Sequence, residues 1–221
     1  MTTIQRLLKL PTCDLSDALR KCGVPYGGVL DGIKLWSPEH QRGDTRIAGP
    51  AYTVKYVLNS SEDKKVSGHY IDTVPKDHIV FISTPPVVNA VYGGLMSTRA
   101  KYLGALGTVC DGLVRDLQDH RDLGFPVFAK GTSTIGPAGA VKVTELNTPV
   151  NIQSPRQPEL VINPGDFLVG DLDGVVCIPH NLVEKVMTIT EEIIQDNEKV
   201  AADVKAGMAF QEASQKHRRH K

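Results

Sequence analysis

Arg115 and Asp116 directly follow the run Gly107-Thr-Val-Cys-Asp-Gly-Leu-Val114. Such a run reads as a strand, and in open α/β sheets ligands gather beyond the carboxyl ends of strands. A guanidinium there can grip a carboxylate through two hydrogen bonds, and an adjacent carboxylate can hold a hard divalent cation. Together they would fix both ends of a small 2-oxo acid. The plain alternative is that Asp116 caps the helix after it, with Asp119 adding charge in the first turn. An Arg-Asp dipeptide alone is more often structural than catalytic.

Gly93-Gly94 is the second element. Glycine lets backbone approach a ligand, and the amides of Leu95 and Met96, opening the next helix, could receive a carboxylate. The alternative is a simple turn. Other candidates are weaker. Gly131-Thr-Ser-Thr-Ile-Gly-Pro-Ala-Gly139 has the composition of a phosphate loop but not its Gly-Lys-Ser/Thr ending, so it reads as a mobile loop. Asp171-Leu-Asp-Gly174 reads as a hairpin turn rather than a calcium loop. His120, four residues after Asp116, reads as a polar surface residue.

Positioning these residues requires an alternating scaffold. A helix is predicted over about 12–23, capped by Thr12 or Asp14 and burying Leu15, Ala18, Leu19 and Cys22. Pro25 to Gly43 reads as an irregular connection. An α/β core covers about 46–130. It comprises a strand over Arg46–Leu58 with one wetter face, a short helix at His69–Val74 and a buried strand at His78–Thr84. The helix after Gly93-Gly94, with Leu95, Thr98, Tyr102 and Leu103 inward, leads to the Gly107 strand, a helix at Leu117–Leu123 and a strand at Pro126–Ala129. A second, more antiparallel β layer is expected over about 140–179, including Glu159–Pro179. Pro164-Gly165 and Asp173-Gly174 supply its turns. One long helix over about 181–208 buries Val183, Val186, Ile189, Ile193, Val200 and Val204. The expectation is one α/β domain, 1–221, layered α/β/β.

Formal net charge is zero, from 25 basic and 25 acidic residues. That leaves no cationic field for nucleic acid. The run Lys216-His-Arg-Arg-His-Lys221 reads as a solvated, frayed end. Four cysteines without a Cys-x-x-Cys pair read as reduced, mostly buried thiols rather than a disulfide or zinc framework. Neither a leader nor a run of roughly 20 apolar residues stands out, so the expected location is cytoplasmic, without membrane insertion.

Several segments jointly resemble the RraA-like family. They are Cys13-Asp-Leu-Ser-Asp-Ala-Leu19, Tyr92-Gly-Gly-Leu-Met-Ser-Thr-Arg-Ala100, Gly107 to Asp116, Gly124-Phe-Pro-Val-Phe-Ala-Lys-Gly131 and Pro164 to Pro179. The Tyr92 segment looks closest to fungal members. The resemblance implies a swivelling-domain-like α/β fold with a long C-terminal helix. It also implies class II aldolase activity on 4-hydroxy-4-methyl-2-oxoglutarate and decarboxylation of oxaloacetate. In its terms Arg115 binds substrate and steadies the enolate, and Asp116 ligates Mg2+ or Mn2+. Gly93, Gly94, Leu95 and Met96 surround the pyruvate end, the latter two through their amides. The resemblance further implies homotrimers or hexamers with the site at a subunit boundary, completed by an acid of the neighbour's last helix. Glu191, preferred by spacing, Glu192 and Glu198 are the candidates, and all three also suit a solvated helix face.

The chain departs from the pattern at one place. Bacterial aldolases of the family carry an aspartate twenty-one positions before the arginine, supporting the metal's water, where this chain has Gly94. Loss of such a carboxylate is expected to weaken metal binding or slow proton transfer about 10–100-fold. The rival readings are Schiff-base chemistry at Lys130 or Lys142, a non-catalytic regulator like the family members that act on RNA-degrading machinery, and a phosphotransfer swivelling domain. The last needs a phosphorylatable histidine in a recognisable loop, and none stands out.

Overall fold

The computed structural model describes residues 1–152, 154–156 and 160–218. Glu159, at the start of the expected last β stretch, and Arg219, His220 and Lys221 of the basic tail lie outside the described residues. In chain order the elements begin with α1 (Thr3–Leu7), α2 (Thr12–Lys21), β1 (Lys34–Ser37), β2 (Ile47–Leu58), β3 (Ile79–Ser83) and β4 (Ala90–Tyr92). They continue with α3 (Gly94–Tyr102), β5 (Gly107–Val114), α4 (Leu117–Asp122), β6 (Val127–Thr132), β7 (Val141–Leu146) and β8 (Val150–Ile152). β9 (Leu160–Ile162), β10 (Phe167–Asp171), β11 (Gly174–Ile178), α5 (Val183–Lys205) and α6 (Phe210–His217) complete them.

The main sheet runs β1-β6-β5-β3-β2-β10-β11, with β4 added to β5 and β7 to β2. Its centre, β2-β3-β5-β6, is parallel, as the strand–helix alternation predicted. The antiparallel strands do not form the separate second sheet that was expected. β2 is twelve residues long. It pairs β10 along Ile47–Pro50, β3 along Ala51–Lys55 and β7 along Val54–Leu58, so the later strands extend the first sheet. Only the β8–β9 hairpin stands apart among the described residues. A bridge between Val29 and Val176, with Leu30 N–H donating to Val175 O, brings the sheet close to closing on itself. The stretch expected to be irregular therefore contains an edge strand, β1, paired antiparallel with β6.

Three apolar clusters fill the interior. Tyr52, Val54 and Tyr56 of β2 face one, Ile47 and Ala51 another, and Ala48 the third, beneath α2 and α5. Burial on both faces is why β2 lacks the wet face its alternation suggested.

α3 corrects another expectation. Leu95, Thr98 and Tyr102 point outward, with Leu95 78% and Tyr102 80% exposed, while Gly94, Ser97 and Ala100 are buried. Small residues at this spacing let the helix lie close to its support, and that close approach leaves no room for large side chains on the inner face. Leu103 alone of the four is partly buried in the core.

At the C-terminus, Val183, Val186 and Val200 are buried as predicted, but Val204 is 38% exposed because the chain turns away after Lys205. α6 then folds back, with Lys216 and His217 both bonded to Asp203 and Arg218 to Asn197. The described part of the basic tail is thus docked, not frayed. Of the four free thiols, Cys110 and Cys177 are buried and Cys13 is exposed. No helix among the described residues is long and apolar enough to cross a membrane.

Candidate functional site

β5 delivers Arg115 to the end of the sheet, where its N–H donates to Tyr92 O of β4 at 3.0 Å. Asp116 then adopts φ 60°, ψ 45°, the left-handed region, at a cost on the order of 1 kcal/mol for a residue with a Cβ. It occupies the N-cap position of α4 yet makes no capping bond there. Its Oδ2 instead accepts the Gly94 N–H at 3.0 Å and lies 3.6 Å from Arg115 Nε. The capping alternative for Asp116 therefore fails, since the left-handed turn carries the carboxylate across to the start of α3. Both side chains stay accessible, 43% for Arg115 and 41% for Asp116.

The two glycines matter because of what they admit. A Cβ on Gly93 would sit 2.5 Å from Asp116 Oδ2 and 3.3 Å from Arg115 Cγ. A Cβ on Gly94 would fall 2.5 Å from Asp119 Cβ and 2.7 Å from its Cγ, and nearer still to its Oδ2. The first-turn amides of α3 divide into three cases. Gly94 N–H serves Asp116, Met96 N–H donates to Gly93 O at 3.0 Å, and Leu95 N–H has no acceptor among the described residues. Of the two amides the resemblance assigned to substrate, Leu95 is open and Met96 is engaged within its own turn.

A cavity of about 210 Å³ opens beside these groups, lined by Tyr92, Gly93, Leu95, Met96, Arg115 and Asp116 among others. Pro137 closes part of it, so the Gly131–Gly139 loop, dismissed on composition, belongs to the site. Asn89 Nδ2 donates to Gly136 O at 2.6 Å, Ala90 N–H to Ile135 O at 2.8 Å and Ser133 N–H to Val114 O at 3.0 Å. These bonds pin the loop over Arg115, and a Cβ on Gly136 would meet Arg115 Nη1 at 2.8 Å. The only signal in the sequence was Gly136-Pro137, which marks a turn but not its neighbour.

His120 corrects the surface reading. It is fully buried, with its ring stacked on Tyr92 at a centroid distance of 5.7 Å. Burial pushes its pKa below the ordinary 6.5, against the opposing influence of the Arg115 backbone and the Asp116 and Asp119 charges. Burial thus favours the neutral form of this imidazole.

The other candidates lie elsewhere. Glu191 pairs with Arg6 of its own chain at 3.0 Å, on the α5 side of the molecule, and does not line the Arg115 cavity. Glu192 and Glu198 are exposed on the same helix. Lys142 Nζ donates to Ser61 O at 2.6 Å. Lys130 is ion-paired with buried Asp111 on the floor of a larger cavity, about 670 Å³, which reaches Ile152 and Ser154 beside the β8–β9 hairpin. Size alone favours that cavity. The chemistry favours the smaller one, where a guanidinium, an accessible carboxylate and an open helix amide converge.

Asp116 can be tested as a metal ligand from its surroundings. Both of its bonds fall on Oδ2, and among the described residues no group of three or more His, Cys, Asp or Glu is arranged to hold a metal. A single half-exposed carboxylate fits a cation that keeps most of its own water, as Mg2+ does.

Comparison with known proteins gives a consistent picture. A family profile described as RraA-like, Aldolase/RraA, matches residues 12–177. Protein DlpA of Legionella pneumophila is 30% identical over 95% of the chain, which spans 33% of DlpA's own length. A Halalkalibacterium halodurans protein provisionally named as a 4-hydroxy-4-methyl-2-oxoglutarate aldolase is 30% identical, covering 88% of this chain and 85% of its own. Among solved structures, an uncharacterized protein from Pseudomonas syringae superposes with TM-score 0.82 at 27% identity, covering 97% of this chain and 93% of its own. Streptomyces coelicolor RraAS2, described as an unusual member of the RNase ES inhibitor RraA family, shares the fold at TM-score 0.74 and 19% identity, over 89% of this chain and 93% of its own.

Proposed function

The chain belongs to the RraA-like family, and from that premise we propose that it is a divalent-metal-dependent lyase acting on small 2-oxo acids. The reactions are retro-aldol cleavage of 4-hydroxy-4-methyl-2-oxoglutarate-type substrates and decarboxylation of oxaloacetate, both through the enolate of pyruvate. The observation that carries the reading is Asp116. Its strained backbone diverts the carboxylate from its own helix and holds it, half-exposed, beside Arg115.

A cation on Asp116, Mg2+ or Mn2+, would supply Lewis-acid polarisation of the keto group. Leu95 N–H, at the positive end of α3, receives the substrate carboxylate. In retro-aldol cleavage the C4 hydroxyl gives its proton to a water molecule, its oxygen becomes the carbonyl of the released keto-acid fragment, and the electron pair of the broken C3–C4 bond moves toward C2. Negative charge then gathers on the C2 oxygen, and protonation at C3 completes pyruvate. Arg115 faces that oxygen and favours the charged state over the neutral ketone, which is the catalytic difference. Decarboxylation uses the same enolate without deprotonating a C4 hydroxyl. The Gly131–Gly139 loop lies against the guanidinium at Gly136, where a side chain would crowd it.

The family resemblance also supports a homotrimer or hexamer. Leu95, which lines the cavity, and the exposed apolar residues Tyr102 and Val88 are suited to contact with another subunit. Light scattering on the purified protein tests this. The decisive experiment is pyruvate release from oxaloacetate and 4-hydroxy-4-methyl-2-oxoglutarate, with and without EDTA, for wild type, Asp116→Ala and Arg115→Lys. Activity is expected only in the wild type with metal. Lysine fails because an ammonium cannot reproduce a two-pronged grip. Full turnover in chelator, with borohydride inactivation in the presence of pyruvate, would instead support a Schiff base on lysine. No turnover of any 2-oxo acid, together with a stable protein partner, would support a non-catalytic regulator.

A further inference from the structure

The main sheet nearly closes into a barrel, and what it encloses changes character toward one end. The apolar cluster inside draws on every strand of the main path, from Leu35 of β1 to Val175 of β11. Within it Phe81, Val109 and Phe128 form one row across β3, β5 and β6. Two residues further along the same strands, alternation places Ser83, Asp111 and Lys130 on the same inward face. Ser83 Oγ donates to Asn151 O of β8 at 2.8 Å, while Asp111 and Lys130 pair with each other at the floor of the 670 Å³ cavity. The apolar lining above them includes Pro85, Val87, Leu113 and Ile152. The mouths of barrels are frequent sites for small ligands, and this volume lies in the usual range for them.

The floor is the informative part. The Asp111 side chain is fully enclosed, whereas that of Lys130 is 28% exposed. The pair therefore hides its carboxylate and turns its ammonium end to the cavity. Stability alone does not call for such a pair, because two apolar side chains of similar volume would close this end of the barrel at no greater cost. Asp31, the other carboxylate on which the Lys130 charge acts, is itself bonded by Arg156.

We propose that this barrel mouth is a second ligand site, which takes a small monocarboxylic acid with an apolar body the size of a single ring. The carboxylate of the ligand meets Lys130, which Asp111 holds from beneath, and the apolar body lies against Val87, Leu113 and Ile152. The site shares no lining residue with the Arg115 cavity and does not depend on a metal.

Benzoate is a suitable probe, titrated by calorimetry into the intact chain, with benzylamine as its cationic counterpart. Benzoate is expected to bind, and benzylamine about tenfold more weakly or worse, because the ammonium at the floor repels it. Removing Lys130 alone would strand a buried carboxylate and destabilise the fold, so both charges are removed together. Lys130→Met/Asp111→Asn keeps the side-chain volumes and is expected to weaken benzoate about tenfold or more, with the thermal midpoint preserved. Val87→Phe leaves the ion pair intact and narrows the cavity, so benzoate affinity is expected to fall there as well. Arg115→Ala is expected to bind benzoate as the wild type does. Absence of benzoate binding by the wild type at millimolar concentration would overturn the proposal, and so would equal affinity in the wild type and the double variant. Benzylamine binding as tightly as benzoate would do the same. Loss of binding in Arg115→Ala would assign the benzoate to the Arg115 cavity and leave the barrel mouth without a ligand.

Discussion

Two aspartates end strands and face helices in this molecule, and their fates differ. Asp171, at the end of β10, is buried. Its Oδ2 accepts Thr12 N–H at 2.9 Å, while its Oδ1 accepts Thr12 Oγ1 at 2.6 Å and Asp173 N–H at 3.0 Å. It caps α2 from outside that helix, which is why neither Thr12 nor Asp14 acts as the cap, and Pro11 holds the N-cap position without a side-chain bond. Asp116, at the end of β5, has one hydrogen bond, a left-handed backbone and an accessible carboxylate. A saturated, buried carboxylate holds a fold together. One kept half-exposed at a cost in backbone strain is suited to a ligand.

Substitutions should separate the two roles. Asp116→Ala is expected to lower kcat/KM for oxaloacetate by about 10²–10³-fold while moving the thermal midpoint little. Asp171→Ala should do the reverse. It leaves two backbone amides and a hydroxyl without their acceptor, a loss of about 2–4 kcal/mol in urea unfolding, with KM unchanged. A catalytic loss as large in Asp171→Ala as in Asp116→Ala would dissolve the contrast. Gly93→Ala sharpens it, because the new methyl would press first on the Asp116 carboxylate and then on the Arg115 side chain. Activity is expected to fall about tenfold or more, and stability by less than about 1 kcal/mol.

His120 gives a smaller, pH-dependent effect. Its folded pKa lies below 6.5, so the unfolded chain binds the proton first on acidification. Stability is therefore complete above about pH 6.5 and declines as pH falls below it. His120→Phe keeps the stack on Tyr92 and should flatten that decline in urea midpoints measured between pH 7 and 5. The smallest effect belongs to Glu191→Gln, which breaks an accessible pair with Arg6. Less than about 1 kcal/mol is expected, screened further by salt. If the neighbouring-subunit role of Glu191 holds, the same variant lowers turnover in the oligomer, which steady-state kinetics will read.

Much of this was legible in the sequence. Strand β5, the end-of-strand location of Arg115-Asp116, the short helix after them, the parallel core and the long C-terminal helix all follow from local patterns of apolar residues and turn signals. Those patterns act over a few residues and need no partner to be read. What surrounds Arg115-Asp116 was not legible. The Gly131–Gly139 loop, Asn89 and the burial of His120 depend on which segments β4 and β6 bring beside β5, and no local periodicity encodes that. The inward face of α3 was misread for a related reason. Large apolar residues are normally the buried ones, but the close packing of this helix reserves its inner side for Gly94, Ser97 and Ala100.

The sequence by itself determined the elements, because propensity and hydrophobic period are properties of short stretches. It also determined the family, because several such stretches recur together. Tertiary structure alone decided which carboxylate is bound up and which stays available. The number of hydrogen-bond donors around an aspartate is set by chains far from it in sequence. Thr12 reaches Asp171 across 159 residues, whereas Asp116 meets a single amide.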